Sequence, residues 1–155
     1  MIRTLLTVAA LGLAAPAFAD GHSTGDAEKG AKTYKKCKSC HMIVSDTGEE
    51  IAKGGKSGPN LYGVIGRAAG SVEGYKYSAS LMAAGEAGLV WDEATLAAWS
   101  QDPRAFLREY LDDSSAKSNM KFKLKKGGED VAAYLATFSP APAEAAEEGS
   151  EAASD

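Results

Sequence analysis

The sequence predicts an all-α fold: one small domain of short helices and long loops, organised around something other than a sheet or a long-helix bundle. Three observations carry this. Helical spacing and helical caps mark several segments, and no stretch alternates apolar and polar residues for long enough to build a sheet. In addition, 17 of 155 residues are glycine, above the usual ~7% and typical of backbone outside regular structure. At 45% hydrophobic and 25% charged residues, the chain sits near the globular average. That balance excludes wholesale disorder, a collagen-like repeat and a multi-span membrane protein. The length is about one domain's worth.

Residues 1–19 read as a cleaved signal peptide. Arg3 gives a positive start, 5–15 is apolar apart from Thr7, and Ala17-Phe18-Ala19 places small residues where a signal peptidase reads them, with cleavage before Asp20. An uncleaved membrane anchor is the competing reading; the apolar run is about 14 residues where a span needs ~20. The domain therefore covers 20–139, an exported and soluble unit. Its first helix is expected over 26–36, with Ala27, Ala31 and Tyr34 at helical spacing and caps within 23–26, and it runs straight into Cys37. Between Cys40 and Tyr75 the chain is punctuated by Gly and Pro, and a loop this long is uncommon in a compact domain unless it wraps a ligand or site. A shorter helix is expected over 77–84. Another, over 92–101, opens on Asp92 and sets Leu96 and Trp99 on one side; Asp102-Pro103 then restarts a helix through 111, with Asp as cap and Pro at the first helical position. The last helix, 129–138, carries Val131, Tyr134, Leu135 and Phe138 at helical spacing and stops before Pro140.

Residues 140–155 contain no basic or aromatic residue, and such a composition predicts a disordered acidic tail, read as an inert solubilising extension. Five acids lie there: Glu144, Glu147, Glu148, Glu151 and Asp155. Without these and without Arg3, the 17 basic and 21 acidic residues leave a body of balanced charge, which gives no reason to expect a nucleic-acid partner.

Cys37-Lys38-Ser39-Cys40-His41 carries the chemistry. Two thiols separated by two residues can form thioethers to both vinyl groups of a haem while the adjacent imidazole reaches the iron, the spacing of c-type haem attachment. Structural zinc needs four ligands, and the only other thiol or imidazole in the chain is that of His22. A thioredoxin-type pair belongs in a βαβ context that is missing here. Gly55-Lys56-Ser57 looks like part of a phosphate loop, but Glu50 stands where the earlier glycine belongs and Gly58-Pro59 follows where a helix should begin.

Haem iron has six positions, and with the porphyrin and His41 in place the sixth decides the function. A thioether there closes the iron and raises its potential; an empty position permits gas binding or peroxidase chemistry. Met42 adjoins His41 and cannot reach the opposite face. Met82 lies in a small-residue helical patch and reads as core. Met120 lies in a polar, lysine-rich run over 118–123 with no apolar stripe to bury it. It is the favoured ligand, the alternative being an adaptable gap-filling methionine.

Taken together, the chain resembles the class I c-type cytochromes, most closely the bacterial cytochrome c2 type, over 25–138. The matching stretches are Glu28-Lys29-Gly30, Cys37 to His41, Gly58-Pro59-Asn60-Leu61-Tyr62-Gly63, Gly66-Arg67, Trp91, Met120-Lys121-Phe122 and Ala133-Tyr134-Leu135. The resemblance implies the all-α class I cytochrome c fold around one covalent haem c, held by Cys37 and Cys40 with His41 and Met120 as axial ligands. It implies that the Pro59 carbonyl accepts from the second imidazole nitrogen of His41, which fixes the ring's tautomer. Arg67, Tyr75, Tyr77 and Trp91 fall near the haem propionates, as donors to carboxylates that are costly to desolvate. Gly30 is expected against Tyr134 where the first and last helices cross. Where the family usually has a tyrosine near the methionine sulfur, this chain has Trp99.

The implied function is that of a soluble periplasmic one-electron carrier, a monomer and not an enzyme. Its implied donor is a cytochrome bc complex and its acceptor a photosynthetic reaction centre or a terminal oxidase. The alternative from another class is a five-coordinate haem c peroxidase or gas sensor. Lys35, Lys36 and Lys38 flank the cysteines, and Lys117, Lys121, Lys123, Lys125 and Lys126 surround Met120. If both segments border one haem edge they form a positive ring, with Asp46, Glu49, Glu50, Asp112 and Asp113 elsewhere. Docking of an acidic partner is expected at Lys35, Lys36, Lys38, Lys121, Lys123 and Lys125.

Overall fold

Helix starts in this chain are set by side chains that satisfy the free N–H groups of the first turn. The computed structural model describes residues 24–139; the expected signal peptide over 1–19, His22, Ser23 and the expected acidic tail over 140–155 lie outside the described residues. Asp26 opens α1 (Ala27–Thr33), its carboxylate accepting from the N–H groups of Glu28 and Lys29. The expected helix over 26–36 tightens after Thr33 into a 3₁₀ turn, Tyr34–Lys36, which hands Cys37 to the site through a 2.8 Å bond from its N–H to the Tyr34 carbonyl.

The long loop contains two strands that no alternation announced, β1 (Ile43–Val44) and β2 (Glu50–Ala52), paired antiparallel with Ile43 opposite Ala52. Their turn needs Gly48, whose φ of +84° favours glycine. Ser78 caps α2 (Ala79–Glu86) by accepting from the Leu81 N–H, so this helix starts after Tyr77 instead of at it. A capping box between Asp92 and Thr95 opens α3 (Glu93–Gln101), and Asp102 with Pro103 opens α4 (Pro103–Tyr110), as the sequence predicts. The last helix, α5 (Gly128–Ala136), begins one residue earlier than expected, behind a left-handed Gly127, and winds into turns at Thr137 and Phe138.

One expectation is corrected here. Met82 does not pack in the core: α2 buries Leu81 and Ala84, three positions apart, and Met82, about 100° round the helix from Leu81, is 48% exposed.

The terminal helices form the frame. A Cβ on Gly30 would sit 1.9 Å from the Asp130 carbonyl oxygen and 2.7 Å from Tyr134 Cβ, so α1 reaches α5 at backbone distance, as the resemblance implied. Asp130 also accepts from the Asp26 N–H at 2.9 Å, and the Tyr34 and Tyr134 rings lie 5.6 Å apart. α3 packs on the other side of α5, where Gly128 meets Ala97 and Ser100. The Tyr34 hydroxyl is buried without a hydrogen-bond partner, and burial pushes its pKa well above the usual phenol value.

Gly30→Ala is therefore expected to lower unfolding free energy by about 1–3 kcal/mol through overpacking. Tyr34→Phe, which removes an unsatisfied hydroxyl, is expected to be neutral or stabilising. Urea unfolding of the two variants, read at a common slope against the parent protein, checks both.

Candidate functional site

One cavity of about 370 Å³ opens between the first helix, the long loop and the segment before α5, and Cys37, Cys40, His41 and Met120 all line it. The volume is that of an ordinary small-molecule or cofactor site. Its walls are mostly apolar: Leu61, Val64, Leu81, Leu96, Trp91 and Trp99 contribute.

Glycine builds the side that holds the histidine. The loop over 54–58 lies directly on the backbone of 38–41, and a Cβ on Gly54, Gly55 or Gly58 would stand 1.8 Å from the His41 carbonyl oxygen, 2.2 Å from that of Ser39, and 2.4 Å from His41 Cε1. Hydrogen bonds from the Gly55 N–H to the Lys38 carbonyl and from the Gly58 N–H to the Cys40 carbonyl fasten the two segments. The Gly55-Lys56-Ser57 run thus serves close packing and not phosphate binding. Next along, Pro59 turns its carbonyl to His41 Nδ1 at 2.9 Å. A carbonyl only accepts, so Nδ1 carries the proton and Nε2 keeps its lone pair. Burial also holds the imidazole below its usual pKa, although the Pro59 bond opposes this. The ring is accordingly neutral at pH 7, the form that ligates metal. Asn60 secures the turn, its amide accepting from the Val44 and Tyr62 N–H groups and donating to the Val44 carbonyl.

The thiols differ. Burial pushes Cys37 up to about 11, whereas hydrogen bonds from Ser57 and Ser39 lower the exposed Cys40.

All four residues expected near the propionates line the cavity. Arg67 and Trp91 arrive together, because the Trp91 N–H donates to the Arg67 carbonyl and Ala68 bridges Val90. Arg67 donates from Nη1 to the Tyr62 carbonyl and from Nη2 to that of Asn60, both at 3.0 Å, leaving three of its five N–H hydrogens for other acceptors. Tyr75 gives its single hydroxyl proton to the Ser57 carbonyl at 2.7 Å, while its ring meets Tyr77 edge-on at 4.6 Å. Tyr77 is held above the usual phenol pKa chiefly by burial. Trp99 is buried in the same wall, 5.5 Å from Trp91 between ring centres.

A further residue is Ser118. It is 3% exposed, lines the cavity, and its hydroxyl has no partner. A lone serine in a polar run carries no signal in the sequence; only the fold shows that it is buried. With two thiols, an imidazole whose Nδ1 is engaged by Pro59, a thioether, an orphan Ser118 hydroxyl and the Arg67 donors all in one lining, the cavity fits a covalently held haem with buried carboxylates. Among the described residues no cluster of three or more His, Cys, Asp or Glu offers a metal site.

The lysines divide. Lys36 and Lys121 line the cavity from opposite segments, so the stretches around 35–38 and 117–126 do border one opening. Lys123, by contrast, is paired with Asp102 in a separate cleft beside α4, so its charge is offset. Asp46, Glu49, Glu50, Asp112 and Asp113 are absent from the lining.

No protein-family model matches the chain. It is 60% identical over 140 residues to cytochrome c-551 of Roseobacter denitrificans, spanning 90% of this chain and 97% of that one. To cytochrome c2 of Rhodobacter capsulatus it is 58% identical over 134 residues, spanning 86% and 94%. The solved structure of that cytochrome c2 superposes with a TM-score of 0.72 at 57% identity, over 73% of this chain and 97% of its own. Ferric cytochrome c-550 from Paracoccus versutus gives 0.73 at 50% identity, over 75% and 99%.

Gly58→Ala places a methyl group in the His41 ring. The expected outcome is a lower yield of covalently loaded protein and a fall of about 1–3 kcal/mol in stability, measured by denaturing-gel haem staining and urea unfolding.

Proposed function

The chain belongs to the class I c-type cytochromes, among the cytochromes c2 and c-550, and from that premise we propose a periplasmic one-electron carrier with a His41/Met120 iron. It is an electron carrier and not an enzyme, and its cofactor is one covalent haem c. The reading rests on one observation above others: His41, its Nε2 freed by the Nδ1 bond to Pro59, and Met120 line the same cavity. Bound there, the haem supplies an iron that accepts and returns one electron without making or breaking bonds.

The chain's own residues set the conditions for that exchange. Cys37 and Cys40 tether the group, and Pro59 and Gly58 hold the imidazole in one tautomer and one orientation, which raises its basicity as a ligand. The Met120 thioether would hold the iron with His41, which would exclude small molecules and raise the potential. Trp91, Trp99 and the aliphatic wall exclude water, which tunes the potential further, while Arg67, Tyr77 and Ser118 offer donors to the propionates. Tyr75 spends its proton on Ser57, so in this arrangement it supports the loop more than it donates.

The partners proposed are a cytochrome bc complex as donor and a reaction centre or terminal oxidase as acceptor. They would dock at the opening bordered by Lys35, Lys36, Lys38, Lys121 and Lys125, with Lys123 a weaker contributor because of Asp102. Export by the segment 1–19 places the protein in the periplasm. Among the described residues no helix is long and apolar enough to cross a membrane.

Two measurements test this. The oxidised protein should be low-spin with a sulfur-to-iron charge-transfer band; Met120→Ala should abolish the band, lower the potential and create carbon monoxide binding, whereas Met82→Ala should leave all three unchanged. A high-spin parent spectrum would instead indicate the open site of a peroxidase or sensor. Secondly, electron transfer with an acidic redox partner should slow as the Debye length shrinks from ~30 Å at 0.01 M to ~8 Å at 0.15 M salt. Lys36→Glu and Lys121→Glu should slow it and flatten its salt dependence; a rate that rises with salt would refute an acidic partner.

A further inference from the structure

Within the described residues only two ion pairs form, Lys29 with Asp26 and Lys123 with Asp102. Lys36 and Lys121 line the cavity, and in the segments that carry them Lys35, Lys36, Lys38, Lys125 and Lys126 are exposed and have no ion pair among the described residues. These charges converge because Lys36 and Lys121 line one opening from two distant segments. No close ion pair among the described residues offsets these charges.

Residues 140–155 supply the opposite charge in concentrated form: five carboxylates and no cation. They leave the domain from a fixed place. The Phe138 carbonyl accepts from the Gly63 N–H at 3.1 Å, and Ser139 Oγ accepts from the Ile65 N–H at 3.1 Å. Gly63 and Ile65 alternate with Val64, and Leu61, Val64 and Arg67 line the cavity itself. At 3.3–3.6 Å per extended residue, Glu144 can lie about 17 Å and Glu151 about 40 Å from Ser139. A domain of this size has a radius of gyration of about 13 Å, so the extended segment out to Glu151 is longer than the domain's own span.

We propose that the acidic segment after Ser139 binds the lysine rim of its own domain and competes there with an acidic partner. Tethering keeps its effective concentration in the millimolar range. Surface ion pairs are individually weak and salt-sensitive, so the segment occupies the rim partially at low salt and releases it as salt rises. The effect on partner binding rests on the docking face assigned above; binding of the segment to the rim does not.

The test compares the haem-loaded full chain with a full-length variant in which Glu144, Glu147, Glu148, Glu151 and Asp155 become Gln or Asn. Amide ¹H–¹⁵N spectra of the ferrous proteins are recorded at 0.01 M and 1 M salt, and poly-L-glutamate serves as the acidic probe. At 0.01 M the amides of Lys36, Lys38, Lys121 and Lys125 should differ between the two proteins, and at 1 M they should coincide. Polyglutamate should bind the neutralised variant about two- to fivefold more tightly at 0.01 M, and equally at 1 M. Identical rim amides at 0.01 M overturn the proposal, even with tighter polyglutamate binding, since that gain then reflects net charge alone. Equal polyglutamate binding at 0.01 M overturns the competition while leaving the docking face intact. Failure of both proteins to bind polyglutamate overturns the docking face and the competition with it.

Discussion

The hydrogen bond between His41 Nδ1 and the Pro59 carbonyl is the contact on which the rest of the site depends. It joins two parts of the chain on either side of the β1–β2 pair, and it commits the imidazole to one tautomer. Such a bond needs the loop over 54–58 to lie flat on the backbone of 38–41, which any Cβ at Gly54, Gly55 or Gly58 would prevent. The glycine content of the chain is thus spent where two backbones meet, and only in part on turns.

The frame that holds this contact is a helix crossing of the same kind. Gly30 lets α1 approach α5 at backbone distance, and the 3₁₀ turn that follows delivers Cys37 in a fixed orientation. Short helices are marginal alone, and those here bury their apolar faces against each other and around the cavity. A group filling that cavity completes the core, so ligand binding and folding are coupled in a domain this small.

Charge is arranged separately from stability. The ion pairs at Lys29 and Lys123 are exposed and contribute little, but Asp102 both caps α4 and draws Lys123 out of the positive rim. One acidic residue therefore sets a helix start and pairs with a lysine from the segment after Met120. In the docking proposed above, the lysines without an ion pair among the described residues would act at long range, through orientation of a partner.

The sequence by itself determined the attachment motif, four of the helix starts or stops, and the role of Gly30, because each rests on local chemistry: Cys spacing, Asp and Pro at caps, and a motif that recurs in the family. It also marked Met120 against Met42 through the reach of neighbouring residues. Only the tertiary structure decided that Met82 faces out, that Ser118 is buried with an unsatisfied hydroxyl, that Tyr75 gives its proton to Ser57, and that Lys123 is neutralised by Asp102. Each of these depends on a partner far away in the chain, or on which face of a short, weakly amphipathic helix turns inward. A period of 3.6 residues does not encode that choice when small residues surround the position. Convergence of Lys36 and Lys121 on one opening is likewise a tertiary outcome, since loop closure is set by long-range packing and not by local preference.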